Sequence, residues 1–335
     1  MTDSSLIRLT GAGLYCPAGD FFIDPWRPVP RAVITHAHGD HARSGSGLYI
    51  ASHACVPLLQ RRLARGSLLR GVGYGQGFRL GAARVSLHPA GHILGSSQVR
   101  VEVGSRVWVA SGDYKRDPDP TCEPFEVVPC DTFITEATFA LPVYRWQPAA
   151  EVARAVHGWW QGNAAAGRTS VLFSYALGKA QRLLAELAPI ATDSVYLHGA
   201  IVPLVEAYRE AGVRMLPTRP LGEVPRGADL STGLVMAPPS AAGSPWMRRF
   251  PRASTGFASG WMRIRGNRRR RGYDRGFVIS DHADWPSLLR TIRETGARQV
   301  LATHGRTDVL VRYLTEVEGI AAAPLATPYS GEVEG

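Results

Sequence analysis

Thr35-His36-Ala37-His38-Gly39-Asp40-His41 follows directly on the apolar run Ala32-Val33-Ile34. Three imidazoles and one carboxylate within seven positions are hard to account for by packing. Imidazole suits zinc and other borderline metals, and a mixed nitrogen and oxygen donor set suits a two-metal hydrolytic site. His36 and His38 lie two apart, so an extended chain points both to one side. Gly39 lets the backbone turn sharply before Asp40 and His41. The two pairs can therefore face two different ions.

One such element cannot fill two metal shells, and the remaining donors stand at the ends of other apolar runs. Phe21-Phe22-Ile23 ends in Asp24, and Val107-Trp108-Val109-Ala110 leads through Ser111-Gly112 to Asp113. His92 sits in the glycine-flanked turn after Arg84-Val85-Ser86-Leu87, and His304 follows Val300-Leu301-Ala302-Thr303. Strand ends that carry polar termini predict a site on the edge of a sheet sandwich, with Asp113 placed to bridge two cations. His53, His88, His157 and His198 read instead as structural, hydrogen-bonded histidines.

The chain has 335 residues, enough for a large core and either one split domain or two. Its 45% hydrophobic and 20% charged content is ordinary globular usage. A net charge of +10 points to a polyanionic partner. No run is long enough for a transmembrane helix, and the Met-Thr-Asp-Ser-Ser start lacks the basic and apolar regions of a signal peptide. Cys16, Cys55, Cys122 and Cys130 show no CxxC spacing and read as reduced thiols of a cytoplasmic protein.

Short strands separated by glycine turns dominate to about position 141: residues 6–9, 21–24, 32–35, 98–103 and 107–110. Residues 54–65 read as a helix. From Pro148 the pattern changes to helix 151–166, strand 170–173, helix 178–188 and strand 195–197, a small α/β unit with parallel strands. Segments 217–225 and 238–245, rich in Pro and Gly, read as loops. Strand ends of the metal-ligand type return after Arg275. An α/β chain in which one domain interrupts another is expected: 1–145 and 275–335 for the outer domain, 146–274 for the inserted one.

Basic residues cluster at Arg263, Arg265, Arg268, Arg269, Arg270, Arg271 and Arg275, interleaved with Trp261 and Tyr273. Guanidinium groups fork onto phosphates and stack on bases, so this stretch is a candidate nucleic-acid track. Ser174 and Lys179 flank a strand-to-helix junction, where free N–H groups and the helix dipole can receive a phosphate. An ordinary turn with Ser174 as the helix cap is the alternative there.

Taken together, the ordered motifs resemble the metallo-β-lactamase superfamily. Asp24 is similar to its first motif, His36/His38/Asp40/His41 to the second, His92 to the third and Asp113 to the fourth. Phe133-Ile134-Thr135-Glu136-Ala137, Ser280-Asp281-His282-Ala283 and Thr303-His304-Gly305 resemble motifs A, B and C of the β-CASP nucleases. Within that group the opening Gly13-Leu14-Tyr15-Cys16-Pro17-Ala18-Gly19-Asp20 is similar to bacterial ligase-associated DNA exonucleases. The resemblance implies an αββα sandwich interrupted by an inserted β-CASP domain. It implies two divalent ions, zinc or alternatively manganese, held by His36, His38 and His92 and by Asp40, His41 and His304, with Asp113 between them. Asp24 would orient a ligand histidine, and His282 paired with Glu136 would protonate the leaving group.

The expected reaction is phosphodiester hydrolysis on DNA in repair, with ligase or helicase partners implied by the family name alone and no membrane association. A histidine at motif C is usual among RNA-processing relatives, so an RNA-processing nuclease is the alternative. A thioester or lactam hydrolase of the same fold would leave Glu136, His282 and the arginines unexplained. A non-catalytic nucleic-acid-binding module would leave the complete ligand set unexplained.

Overall fold

The computed structural model describes residues 5–264, 266 and 272–327. The chain divides into two compact units, one made of Met1–Arg145 with His282–Gly335 and the other of Trp146–Asp281. Among the described residues, three sheets and their helices make a mixed α/β protein.

Two sheets belong to the first unit. One runs in order β1 to β6: Arg8–Thr10, Gly13–Cys16, Phe21–Ile23, Arg31–Val33, Leu48–Ser52 and Leu69–Val72, with α1 (Val56–Arg62) between β5 and β6 in the chain. The other contains β7 (Phe78–Leu80), β8 (Ala83–Pro89), β9 (Ser97–Val103), β10 (Arg106–Ala110), β11 (Thr132–Ala137), β18 (Gln299–Gly305) and β19 (Ala321–Pro324). Its order is β19-β18-β11-β10-β9-β8-β7. The core lies between the sheets: Ile23, Val33, Ile50 and Val72 from the first meet Val85, Val99, Trp108, Ala110, Ile134 and Leu301 from the second. Successive strand residues point to opposite faces. Val109, Phe133, Val300 and Ala302 therefore face away from that core and pack under Leu288, Ile292, Leu310 and Leu314. These four lie on α5 (Trp285–Thr295) and α6 (Thr307–Glu316). Asp284 caps α5 by accepting the Ser287 N–H at 3.0 Å, and Gly296 ends it in the left-handed conformation.

The second unit carries a sheet in which every strand pair is parallel, ordered β14-β13-β15-β12-β16-β17. Its strands are β12 (Ser170–Phe173), β13 (Val195–Leu197), β14 (Thr218–Pro220), β15 (Leu234–Ala237), β16 (Ser254–Ala258) and β17 (Arg275–Phe277). Parallel sheets are covered on both faces, which is why β12 and β15 are buried throughout. One face holds α2 (Ala149–Ala165), α3 (Lys179–Leu187) and α4 (Val202–Glu210), through Val156, Trp160, Leu183, Leu184 and Val205. The other is closed by loop and 3₁₀ residues, including Leu221, Leu230, Ala241, Phe250 and Met262.

Several local expectations differ from this structure at their ends. Segments 217–225 and 238–245, read as loops, contain β14 and two short 3₁₀ helices, Leu221–Glu223 and Pro239–Ala241. Residues 275–281 group with the second unit, because β17 pairs with β16 and extends its sheet. The cap of α3 is Gly178, at φ +86°, rather than Ser174; the Gln181 side chain closes the turn by accepting the Gly178 N–H at 2.7 Å. Among the described residues, no helix is long and apolar enough to cross a membrane.

Candidate metal centre

Each predicted ligand, together with Asp24, which is expected to orient one of them, stands just beyond or at the end of a strand of the first unit. Asp24 follows β3, residues 36–41 follow β4, His92 follows β8, Asp113 follows β10 and His304 lies in β18. Asp24 and His304 hold φ of +42° and +55°, in the sparsely populated left-handed region. Such strain persists where the surrounding structure over-determines the backbone, and it concentrates at functional sites. At His304 the cause is visible in the ladder: Glu136 pairs with Thr303 and Ala137 with Gly305, so His304 is the extra residue of a bulge.

The donor atoms converge. His38 Nδ1 lies 3.1 Å from His36 Nε2 and 3.1 Å from His92 Nε2. Asp113 Oδ2 lies 3.5 Å from His36 Nε2, 3.8 Å from His92 Nε2 and 3.5 Å from His41 Nε2. Donors on one tetrahedral zinc at about 2.0 Å are separated by about 3.3 Å, so these spacings match a shared ion. His41 Nε2 is also 3.6 Å from Asp40 Oδ2, and its ring stacks on His304 at 5.1 Å. Three groups of donors close enough to share an ion result among the described residues: His36/His38/His92/Asp113, Asp40/His41/His304 and Asp113/Glu136/His282.

Buried atoms without partners mark the same place. Among the described residues, His41 Nε2 and Asp113 Oδ1 are buried with no hydrogen-bond partner, a costly arrangement unless something else occupies those lone pairs. Burial, reinforced by the charge of His41, holds the His36 imidazole well below its ordinary pKa; burial also lowers His304. Both are thereby kept neutral, the form that ligates. Burial opposes the charge of His41 as well, but Asp40, Asp113 and Asp24 overcome it and raise its pKa well above the ordinary value. Asp113 loses solvation on burial, yet the nearby His41 and His282 hold its carboxyl well below the usual range. A site so dense in paired imidazole and carboxylate fits divalent cations.

The orienting contacts are equally specific. Asp24 Oδ2 lies 2.7 Å from His41 Nδ1, which fixes that ring with Nε2 toward the cluster. Asp24 Oδ1 accepts the Thr35 N–H at 2.7 Å, and the Thr35 hydroxyl donates to Asp24 Oδ2. The same hydroxyl lies 3.0 Å from His36 Nδ1. Thr35 is thus part of the site although nothing in its local sequence signals it. Glu136 is buried on β11; Oε1 accepts the Tyr114 N–H at 2.7 Å and Oε2 lies 2.8 Å from His282 Nδ1. Burial raises the Glu136 pKa, with Asp113 adding to it and His282 opposing. His282 packs its ring 4.7 Å from that of His92, so it borders the cluster.

Of the expected phosphate contacts, Ser174 and Lys179 are buried within the second unit. Lys179 is buried, with Nζ 3.5 Å from Asp281 Oδ2 and 4.8 Å above the Tyr175 ring. Its charge is engaged inside the second unit, and Ser174 is completely buried. Arg263 is exposed at the end of a 3₁₀ helix, Gly260–Arg263. Arg265, Arg268, Arg269, Arg270 and Arg271 lie outside the described residues. Of the histidines read as structural, His88 bonds Glu126 and Ser86 at 3.0 Å each, and His198 Nδ1 accepts the Ala200 N–H at 3.1 Å.

No protein-family model matches the chain. A protein of Opitutus terrae described as a probable DNA ligase is 32% identical over 309 residues, which is 91% of this chain. The chain spans 30% of that relative's length. A solved structure of a protein of unknown function from Enterococcus faecalis V583 superposes with a TM-score of 0.60, covering 90% of this chain and 80% of that one at 10% identity. That likeness concerns the fold alone. The chain is therefore a mixed α/β protein, similar along most of its length to part of a probable DNA ligase, with His/Asp clusters able to hold metal.

Proposed function

We propose that the chain is a metal-dependent DNA exonuclease that hydrolyses phosphodiester bonds, built as a metallo-β-lactamase sandwich with a β-CASP-type insertion. The observation that carries this reading is the gathering of His36, His38, His92 and His41 around Asp113, with Asp40 and His304 grouped on His41. His36, His38 and His92 would hold one divalent ion and Asp40, His41 and His304 another, with Asp113 shared. The nitrogen-rich donors favour zinc, and the carboxylates also admit manganese. When bound, such ions offset negative charge on a phosphoryl group and depress the pKa of water. Asp24 and Thr35 hold the ligand rings in register. His282 would protonate a departing oxygen, and its 2.8 Å contact with Glu136 supports that role.

The sandwich with helices over one sheet and the inserted parallel sheet support the β-CASP architecture. The name of the Opitutus terrae relative supports DNA as the substrate, because trimming and sealing act on the same strand ends.

The test uses protein stripped of metal and reloaded with zinc or manganese, given single-stranded DNA and RNA labelled at either end. Stepwise shortening of DNA, abolished by Asp113→Ala, is the expected result. Preferred cutting of RNA would transfer the protein to RNA processing. Hydrolysis of neither, with turnover of a generic thioester, would overturn the nuclease reading.

A further inference from the structure

On the loop-covered face of the second unit, Arg226, Pro245, Trp246, Arg248 and Arg249 line a cavity of about 480 Å³. Cavities of roughly 300–1,000 Å³ are the usual size for small-molecule and nucleotide-sized groups. The residues come from two loops, one around Arg226 and one on the 3₁₀ helix Pro245–Arg249, so sequence distance hides their proximity. Arg249 is the structural member. Its Nη1 donates to the Leu221 carbonyl at 3.0 Å, and its Nη2 donates to those of Val224 and Pro225 at 2.6 and 3.1 Å. These bonds tie it to the loop that carries Arg226. Arg226 and Arg248 are exposed and, among the described residues, form no ion pair with a carboxylate.

The aromatic member is held rather than loose. Trp246 is half-buried, edge-on to His198 at 5.1 Å and to Phe250 at 5.0 Å, and its backbone N–H donates to the Ser244 hydroxyl at 3.3 Å. A rigid indole costs little conformational entropy when a planar group stacks on it. Uncompensated arginines beside an aromatic wall are the chemistry that single-stranded nucleic acid requires: cations for phosphates and a flat surface for a base.

We propose that this cavity is a nucleotide subsite for single-stranded DNA, in which a base stacks on Trp246 and its flanking phosphates lie against Arg226 and Arg248. The assignment rests on the nuclease reading for its choice of polymer. It places a substrate contact outside the metal centre, on residues of the second unit.

The test measures binding of a fluorescein-labelled oligothymidylate to the full chain in EDTA, where no hydrolysis intervenes. Trp246→Ala and Arg248→Glu are each expected to weaken binding at least tenfold, since stacking on an aromatic and a phosphate contact are the lost interactions. Arg154→Glu, an exposed site on α2 with the same charge change, serves as the control and is expected to shift binding less than threefold. Arg248→Glu should also flatten the dependence of binding on salt by about one counterion. Losses in both cavity variants no larger than in the control would overturn the proposal. Hydrolysis of bis(p-nitrophenyl) phosphate by the wild-type metal-loaded protein reports the metal centre separately. Its absence alongside the expected binding losses would remove the nuclease reading and leave the subsite standing.

Discussion

His282 Nδ1 lies 2.8 Å from Glu136 Oε2, and the other oxygen of the same carboxylate accepts the Tyr114 N–H at 2.7 Å. The carboxylate is thus clamped from two sides and holds the imidazole in one orientation with Nε2 directed away from it. If His282 is the general acid proposed above, replacing it by Ala is expected to leave metal content unchanged and to lower turnover by about 10²–10⁴-fold. Metal analysis and kinetics on one preparation check this. A variant that loses metal would make His282 a ligand instead.

Asp24 acts through His41, which it meets at 2.7 Å. Asp24→Asn keeps the shape but removes the charge that orients the ring. Such changes typically weaken metal binding by about 10–100-fold. Competition with a chromophoric chelator measures the effect, and unaltered affinity would show that Asp24 only supports the turn.

Gly112 occupies φ +57°, and a Cβ there would lie 2.6 Å from the Thr35 side chain. Because Thr35 is tied to Asp24 and His36, the clash reaches the ligands. Gly112→Ala is expected to cost about 1–3 kcal/mol of stability and to loosen metal binding as well. Urea unfolding gives the first quantity; an unchanged midpoint would mean that the turn accommodates a side chain.

Metal removal should be visible in thermal unfolding. A ligand present at about 1,000 times its dissociation constant, binding only the native state, adds about 4 kcal/mol. For a chain of this size that raises Tm by on the order of 10 °C. The expected outcome is a fall on adding EDTA and recovery with zinc, followed by scanning fluorimetry. Coincident curves with and without metal would count against the centre.

Burial, with the charge of Asp131 adding to it, pushes the Cys130 thiol up to about 12. A thiol with so high a pKa is protonated throughout the neutral range, and its thiolate at pH 8 is only about one part in 10⁴. Alkylation of Cys130 in the native protein should therefore be slow at pH 8 and accelerate about tenfold per pH unit toward pH 10. Peptide mapping after timed labelling reads the rate, and fast labelling at pH 8 would contradict the burial. Cys16 and Cys55 are buried and raised by the same cause, so they should lag as well.

The sequence alone determined what depends on neighbours in the chain. Residues 36–41 are a dense donor cluster because adjacent positions cannot be far apart, and the strand ends at Asp24, Asp113 and His304 could be read from apolar runs that stop in a polar residue. The parallel α/β unit could be read from periodicity, since helices and strands repeat at different spacings. Tertiary structure decided what depends on residues far apart in sequence. His282 reaches Glu136 across 146 positions, and no local pattern carries that pairing. Lys179 looked like a phosphate contact at a helix start, but the fold buries it against Asp281, where a paired charge is better satisfied than an isolated one. The bulge at His304, the contacts of Thr35 and the cavity that joins Arg226 to Trp246 all depend on which backbones run side by side. Burial, strain and ion pairing are properties of those juxtapositions, so they arise only once the chain has folded.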